Sequence, residues 1–285
     1  MPVPEVTALL ARHLPSYDVR TVTVLGAGLE NVAYDVNGEL VVRISIAPDA
    51  ERAALILRET EILRRLAPIA TLPIPHPLFV DAAAGAFAYR RLPGTSLLDA
   101  PDRADAVDAA EVGAFLACLH TATGMTGIAP RDTFPTSEWL SDAQAQFAQI
   151  SASMSRHEQR IVEQFLSVAP PPPVDLAREV FSHNDFGAEH LLVNDAGRIS
   201  GVLDWSDAAM TDPAYDWGLV WRDLGPRLFA GALAEYGPRF DDADISRALF
   251  YARCALIEDF AYGIRDGRLR YLTAARAHFA HTFGD

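Results

Sequence analysis

Lysine is missing from this chain, so every one of its 24 basic side chains other than histidine is arginine. A Walker-type P-loop, which needs Gly-Lys-Ser/Thr to wrap and neutralise phosphates, is thereby excluded. Cysteine is almost as scarce. Cys118 and Cys254 stand alone and far apart, which rules out a disulfide framework or a thiolate metal site. Two isolated thiols lead us to expect a reducing, cytoplasmic setting. No apolar run approaches the about 18 residues that a membrane span would need. The segment through Leu14 has the pattern of an amphipathic helix and lacks the basic start of a secretory signal. Positive charge is also short overall, since 38 acidic residues leave a net charge of −14. Nucleic acid would be repelled on average, whereas a cationic small molecule would be attracted. An acidic surface also serves solubility alone.

What the chain does contain is apolar residues enough for substantial cores, 50% of 285. That size suits one two-lobed unit or two small domains, as a monomer or small homo-oligomer. A tetraproline from Pro170 to Pro173 breaks two helical stretches and reads as an exposed connection.

The most informative segment is FSHNDFGAEHLLVNDAGRISGVLD, from Phe181 to Asp204. Leu191 to Val193 and Ile199 to Leu203 read as strands, and Asn194 to Arg198 has the Asn, Asp and Gly content of a tight turn. A pair folded about Ala196 and Gly197 sets His190 opposite Asp204, where side chains leaving one face can share a metal ion. Asp185 then sits in the loop just before the hairpin. Phosphoryl transfer from a metal-bound nucleoside triphosphate requires such a set: one Asp orients or deprotonates the acceptor hydroxyl, and the other ligands hold the metal.

The first half of the chain supplies a separate indication. Thr21 to Leu25 and Val32 to Val36 read as strands joined by Gly26-Ala27-Gly28-Leu29-Glu30-Asn31. Gly26 and Gly28 would let backbone approach phosphates without a Cβ in the way. Glu39 to Ile44 reads as a further strand. From Asp49 to Leu66, Leu55, Ile62, Leu63 and Leu66 recur at helical spacing; Glu59 falls within that stripe and Glu61 off it.

His183-Asn184-Asp185, His190 and Asp204-Trp205, followed by Asp212-Pro213 and Asp216, resemble the motifs of the aminoglycoside and macrolide phosphotransferase family. His190 and the His-Asn-Asp opening are most similar to its macrolide and aminoglycoside 2''-phosphotransferase branches. The resemblance covers most of the chain and is strongest from Ser182 to Gly218. It implies an α+β, protein-kinase-like two-lobed fold, with a β-rich nucleotide-binding lobe over residues 1–92 and a mostly helical catalytic lobe over 93–285. It implies ATP or GTP as donor, Mg²⁺ with Mn²⁺ as an alternative, and a hydroxyl of an aminoglycoside- or macrolide-type antibiotic as acceptor.

Carried over by position, Asp185 is the catalytic base or orienter, and His190 and Asp204 are the metal ligands. Arg43 stands where the family has its phosphate-binding Lys, with Glu59 as its partner on the helix. Arg90 and Leu92, just before Pro93-Gly94, fall where the nucleobase is read by backbone groups. His183, Asp212 and Asp216 are structural supports. Asp207, Glu258 and Asp259 are candidates to face a cationic substrate, the last two because they interrupt an apolar stretch. Trp217, Trp221, Phe250 and Tyr251 are expected in the core or lining an apolar pocket. Competing readings are a metabolic small-molecule kinase of the same fold, a nucleotide-binding module without catalysis, and a metal-dependent hydrolase built on His183, Asp185, His190 and Asp204.

Overall fold

A computed structural model describes residues 3–284 apart from residue 29, which belongs to the Gly26–Asn31 connection. The chain opens with helix α1 (Val3–His13), followed by strands β1 (Val22–Ala27), β2 (Asn31–Val36) and β3 (Leu40–Ser45). Helix α2 (Asp49–Leu66) precedes β4 (Pro77–Asp81) and β5 (Ala86–Arg90), and the five strands form one antiparallel sheet in the order β1-β2-β3-β5-β4.

The alternation of side chains along a strand decides what each face of this sheet meets. Leu40, Val42 and Ile44 of β3 join Ala86 and Ala88 against Val6, Leu9 and Leu10 of α1. Val41 of β3, with Phe87 and Tyr89 of β5, packs against Ile56, Ile62, Leu63 and Leu66 of α2. Arg43 shares that second face, which directs its guanidinium toward α2.

Two departures from the sequence reading concern register. Gly26 lies inside β1 and pairs with Ala33 across a bulge between Val24 and Gly26.

After β6 (Thr95–Ser96), helices α3 (Ala109–His120), α4 (Thr136–Ile150) and α5 (Arg156–Leu166) lead to β7 (Val180–Ser182). The hairpin follows as β8 (Leu191–Val193) and β9 (Ile199–Val202), then β10 (Ala209–Thr211) and helices α6 (Ala214–Tyr236), α7 (Asp242–Arg265) and α8 (Leu269–Phe283). Strand β10 pairs with β7, and β6 adds to the β8-β9 hairpin. Gly197 takes the turn with φ of 76°, while the Asn194 side chain accepts hydrogen bonds from the amides of Ala196 and Arg198.

The second departure lies in this hairpin. Leu191 pairs with Val202 and Leu192 with Gly201, but Val193 pairs with Ile199. Ser200 is left over, and its hydroxyl donates to the Pro93 carbonyl at 2.6 Å. Beyond the bulge the amide of Leu203 donates to the His190 carbonyl at 2.9 Å, so His190 faces Leu203. It does not stand opposite Asp204. Among the described residues no helix is long and apolar enough to cross a membrane.

Candidate active site

The loop from His183 to His190 is held from below by one carboxylate. Asp216, in the first turn of α6, is fully buried and accepts the amides of His183 at 3.0 Å and Asn184 at 2.9 Å. His120 of α3 adds its Nε2 at 3.2 Å, with Tyr236 Oη 2.5 Å from His120 Nδ1. His183 is equally buried and donates Nε2 to the Leu203 carbonyl at 2.9 Å, tying the loop to the exit of β9. Asn184 adopts φ of 62°, a left-handed turn that asparagine tolerates better than most residues. The result presents the Asp185 side chain, about a third exposed, at the mouth of the hairpin. Asp212 acts elsewhere: it accepts from Ala214 N at 3.0 Å and pairs with Arg247 Nε at 2.6 Å.

Asp185 Oδ2 and His190 Nε2 are 2.9 Å apart. Burial by itself would lower the imidazole pKa, but the adjacent Asp185 carboxylate carries it up to about 10. Burial likewise opposes the charge on Asp185, and His190 outweighs that and holds the carboxylate below its ordinary value. The two therefore form a charged pair at neutral pH.

On the sheet side, Arg43 reaches Glu59 on α2 at 3.2 Å and also hydrogen-bonds Asp204. Glu61 points out to solvent and pairs with Arg65. Burial raises the Glu59 pKa to about 7, even against the pull of Arg43. Asp204 moves the other way, because Arg43, His190 and the Ser206 hydroxyl at 2.9 Å overcome its burial. Asp204 has φ of 59°, so the chain turns sharply where its carboxylate meets Arg43. Asp207, on the rim, is pushed up to about 6 by reduced hydration and by the charges of Asp185 and Asp204.

The structure thus gathers Asp185, His190, Arg43, Glu59 and Asp204 around one cleft, although His190 pairs with Asp185 and Asp204 with Arg43. The set His183, Asp185, His190 and Asp204 does not form one metal cage. Among the described residues, the ligand atoms that converge within 4.8 Å are those of Asp185, Glu189 and His190. Glu189 was missed by sequence reasoning; its adjacency to His190 was the available signal. Asp259 requires correction as a substrate residue, because Arg222 of α6 holds its carboxylate at 3.2 Å. Glu258 remains exposed and lines a cavity of about 120 Å³ with Phe134, Trp139, Asp142, Ala143, Gln146 and Cys254. Reduced hydration against the cavity wall, with the charges of Asp185 and Asp142, raises its pKa despite Arg222.

Gly26 and Gly28 keep ordinary φ values, and a Cβ at Gly26 would meet nothing within 4 Å. Packing therefore does not demand glycine there. Arg90 ends β5 exposed, and Leu92 packs where a Cβ on Gly201 would lie 2.9 Å from it. Trp217, Phe250 and Tyr251 are core residues, and Trp221 is packed against the core.

Residues 21–251 match the phosphotransferase enzyme family (APH). The chain belongs to that family. Viomycin phosphotransferase of Streptomyces vinaceus is 28% identical over 221 residues, 73% of this chain and 76% of that one. The GDP and kanamycin complex of APH(2'')-IIIa superposes with a TM-score of 0.71 at 20% identity, over 98% of both chains. Macrolide 2'-phosphotransferase MphH of Brachybacterium faecium gives 0.61 at 24% identity, over 97% of this chain and 98% of that one. These likenesses establish the kinase-like α+β fold of this family member.

Proposed function

We propose that this phosphotransferase moves the terminal phosphoryl group of ATP or GTP to a hydroxyl of a cationic antibiotic. The observation that carries the reading is the meeting of two charge pairs in one cleft, Arg43 with Asp204 and Asp185 with His190. Residues 1–92 would hold the nucleotide and residues 93–285 the catalytic loop and acceptor.

Phosphoryl transfer demands positioning and charge stabilisation more than strong base chemistry. Asp185 would orient the acceptor hydroxyl and take its proton as the bond from the hydroxyl oxygen to the terminal phosphorus forms, the bond to the bridging oxygen breaks and the nucleoside diphosphate leaves. Its depressed pKa leaves it ionised for that task. The guanidinium of Arg43, held by Glu59, would neutralise phosphate oxygens, with a planar fork in place of a lysine ammonium. Mg²⁺ is a hard ion that prefers oxygen, and the Asp204 carboxylate fits it. His190 fits it as a ligand only after losing the proton that Asp185 stabilises; while charged, it would donate to phosphate oxygens. Asp204 would hold the metal, whose chemistry when bound would be to neutralise phosphate charge.

For the acceptor, the cavity between α4 and α7 offers aromatic walls from Phe134 and Trp139 and carboxylates from Asp142 and Glu258, a combination that suits protonated amines. Asp185 and Glu258 are close enough for their charges to act on each other. The relatives named above, which act on viomycin or were crystallised with kanamycin, support a polycationic antibiotic as acceptor.

The test is thermal stabilisation by ATP and GTP, each with and without Mg²⁺, followed by transfer assays with viomycin, kanamycin, a macrolide and small amino alcohols. Metal-dependent stabilisation by a triphosphate and transfer to a cationic antibiotic are expected. Transfer confined to amino alcohols would make this a metabolic kinase, and no response to nucleotide would overturn the reading.

A further inference from the structure

Behind the catalytic loop lies a buried charge cluster that no role above employs. Asp223 of α6 accepts the amide of Ala188 at 2.7 Å. Arg222, its neighbour, grips Asp223 through Nε at 2.7 Å and Nη2 at 2.8 Å. The same guanidinium reaches Asp259 of α7 at 3.2 Å and Glu189 at 3.5 Å. Arg222 and Asp223 are 5% and 8% exposed. Desolvating such groups is costly unless each is paired, which here they are.

The peptide they hold is also gripped from the other side. The carbonyl of Ala188 accepts from Leu98 N at 3.1 Å and the Ser96 hydroxyl at 3.2 Å, while His190 N donates to Gly187 O at 3.0 Å. Side-chain space is similarly closed, since a Cβ on Gly187 would fall 2.4 Å from Glu189 Oε2 and 2.9 Å from Arg222 Nη2.

The C-terminal helix completes the arrangement for a reason visible in the sequence. The helical partner of the Arg222 carbonyl would be the amide of residue 226, but that residue is Pro226 and has no N–H. Gly225 breaks helical geometry at the same point, with φ of 76°. His281 of α8 supplies the missing donor, its Nε2 lying 2.9 Å from the Arg222 carbonyl, and Trp221 Nε1 donates back to the His281 carbonyl at 3.1 Å. His278 of α8 lies 3.6 Å from Asp223.

We propose that Arg222 and Asp223 are positioning residues that hold the 187–190 loop, and through it His190 against Asp185, with α8 locking them in place. The proposal rests on the phosphotransferase reading above for its catalytic consequence, and on the hydrogen bonds alone for its structural one. Both are tested with Asp223→Ala and Asp223→Asn, since asparagine keeps a carbonyl acceptor for the Ala188 amide.

Amide hydrogen exchange of peptides covering 185–190 in the nucleotide-free protein should quicken about tenfold or more in Asp223→Ala and recover most of its protection in Asp223→Asn. With ATP, Mg²⁺ and viomycin or kanamycin, kcat should fall about tenfold or more in Asp223→Ala at a nearly unchanged nucleotide KM, again with recovery in Asp223→Asn. If Asp223→Ala does not fold, His281→Ala, which unties α8 from the Arg222 carbonyl, carries the same two measurements. Unchanged exchange overturns the proposal, and so does quickened exchange with unchanged kcat. A parent protein with no transfer activity overturns the functional reading instead, while exchange still decides whether Asp223 holds the loop.

Discussion

Arg43 and Asp204, 161 residues apart in the chain, meet in a hydrogen-bonded ion pair that joins the sheet to the exit of the β8-β9 hairpin. Glu59 closes the other side of the guanidinium at 3.2 Å. One arginine thus sits between two carboxylates, one displaced upward and one downward in pKa. Asp204 keeps its charge and Glu59 is the one poised to give it up.

Replacing Asp204 with alanine is expected to abolish transfer at least as fully as replacing Asp185, each by about 10²-fold or more. The two variants should separate in binding. Asp185→Ala keeps metal-dependent stabilisation by nucleotide, whereas Asp204→Ala loses it. Metal-dependent shifts of equal size in both variants would remove Asp204 from the metal site.

Removing Glu59 leaves a buried guanidinium with only Asp204 as counter-charge. Glu59→Ala should therefore destabilise by about 3 kcal/mol in urea unfolding, the order seen when one partner of a buried pair is lost. Glu61→Ala, which breaks an exposed pair with Arg65, should change stability by less than about 1 kcal/mol.

His190 has a definite pH signature. Its folded pKa, raised to about 10, lies above the ordinary value of roughly 6.5. The stability it contributes is fully present below that ordinary value and is lost as pH rises through the folded one. Thermal unfolding of the wild type should accordingly fall more steeply between about pH 7 and pH 10 than that of His190→Gln. Parallel profiles would mean that His190 carries no proton at neutral pH.

Glu258→Gln and Asp142→Asn should raise KM for a cationic acceptor several-fold with kcat little changed, because they remove ground-state attraction at the cavity. Asp259→Asn should behave differently. Its carboxylate serves Arg222, so the loss should be in unfolding free energy rather than in acceptor KM.

Much of the scaffold was legible because its signals are local. The 3.6-residue period placed Glu59 on the buried face of α2 and Glu61 off it, and the Asn194–Arg198 turn announced the hairpin. The motif order His183, Asp185, His190, Asp204, Asp216 lies in residues that the structure brings around one loop and hairpin, whereas Asp212 pairs with Arg247. Hairpin register was less legible. A regular ladder continued from Val193 and Ile199 would set His190 opposite Val202; the unpaired Ser200, hydrogen-bonded to distant Pro93, moves it on to Leu203, one residue short of Asp204.

By itself the sequence determined the strand and helix pattern, the family and the segment around Asp185, since each depends on residue type and short-range spacing. Only the tertiary structure decided which charges meet: Asp204 with Arg43, His190 with Asp185, Asp259 with Arg222, and Glu189 at the cleft. A buried charge takes whichever partner folding brings within reach, and that choice is made by packing between elements far apart in the chain.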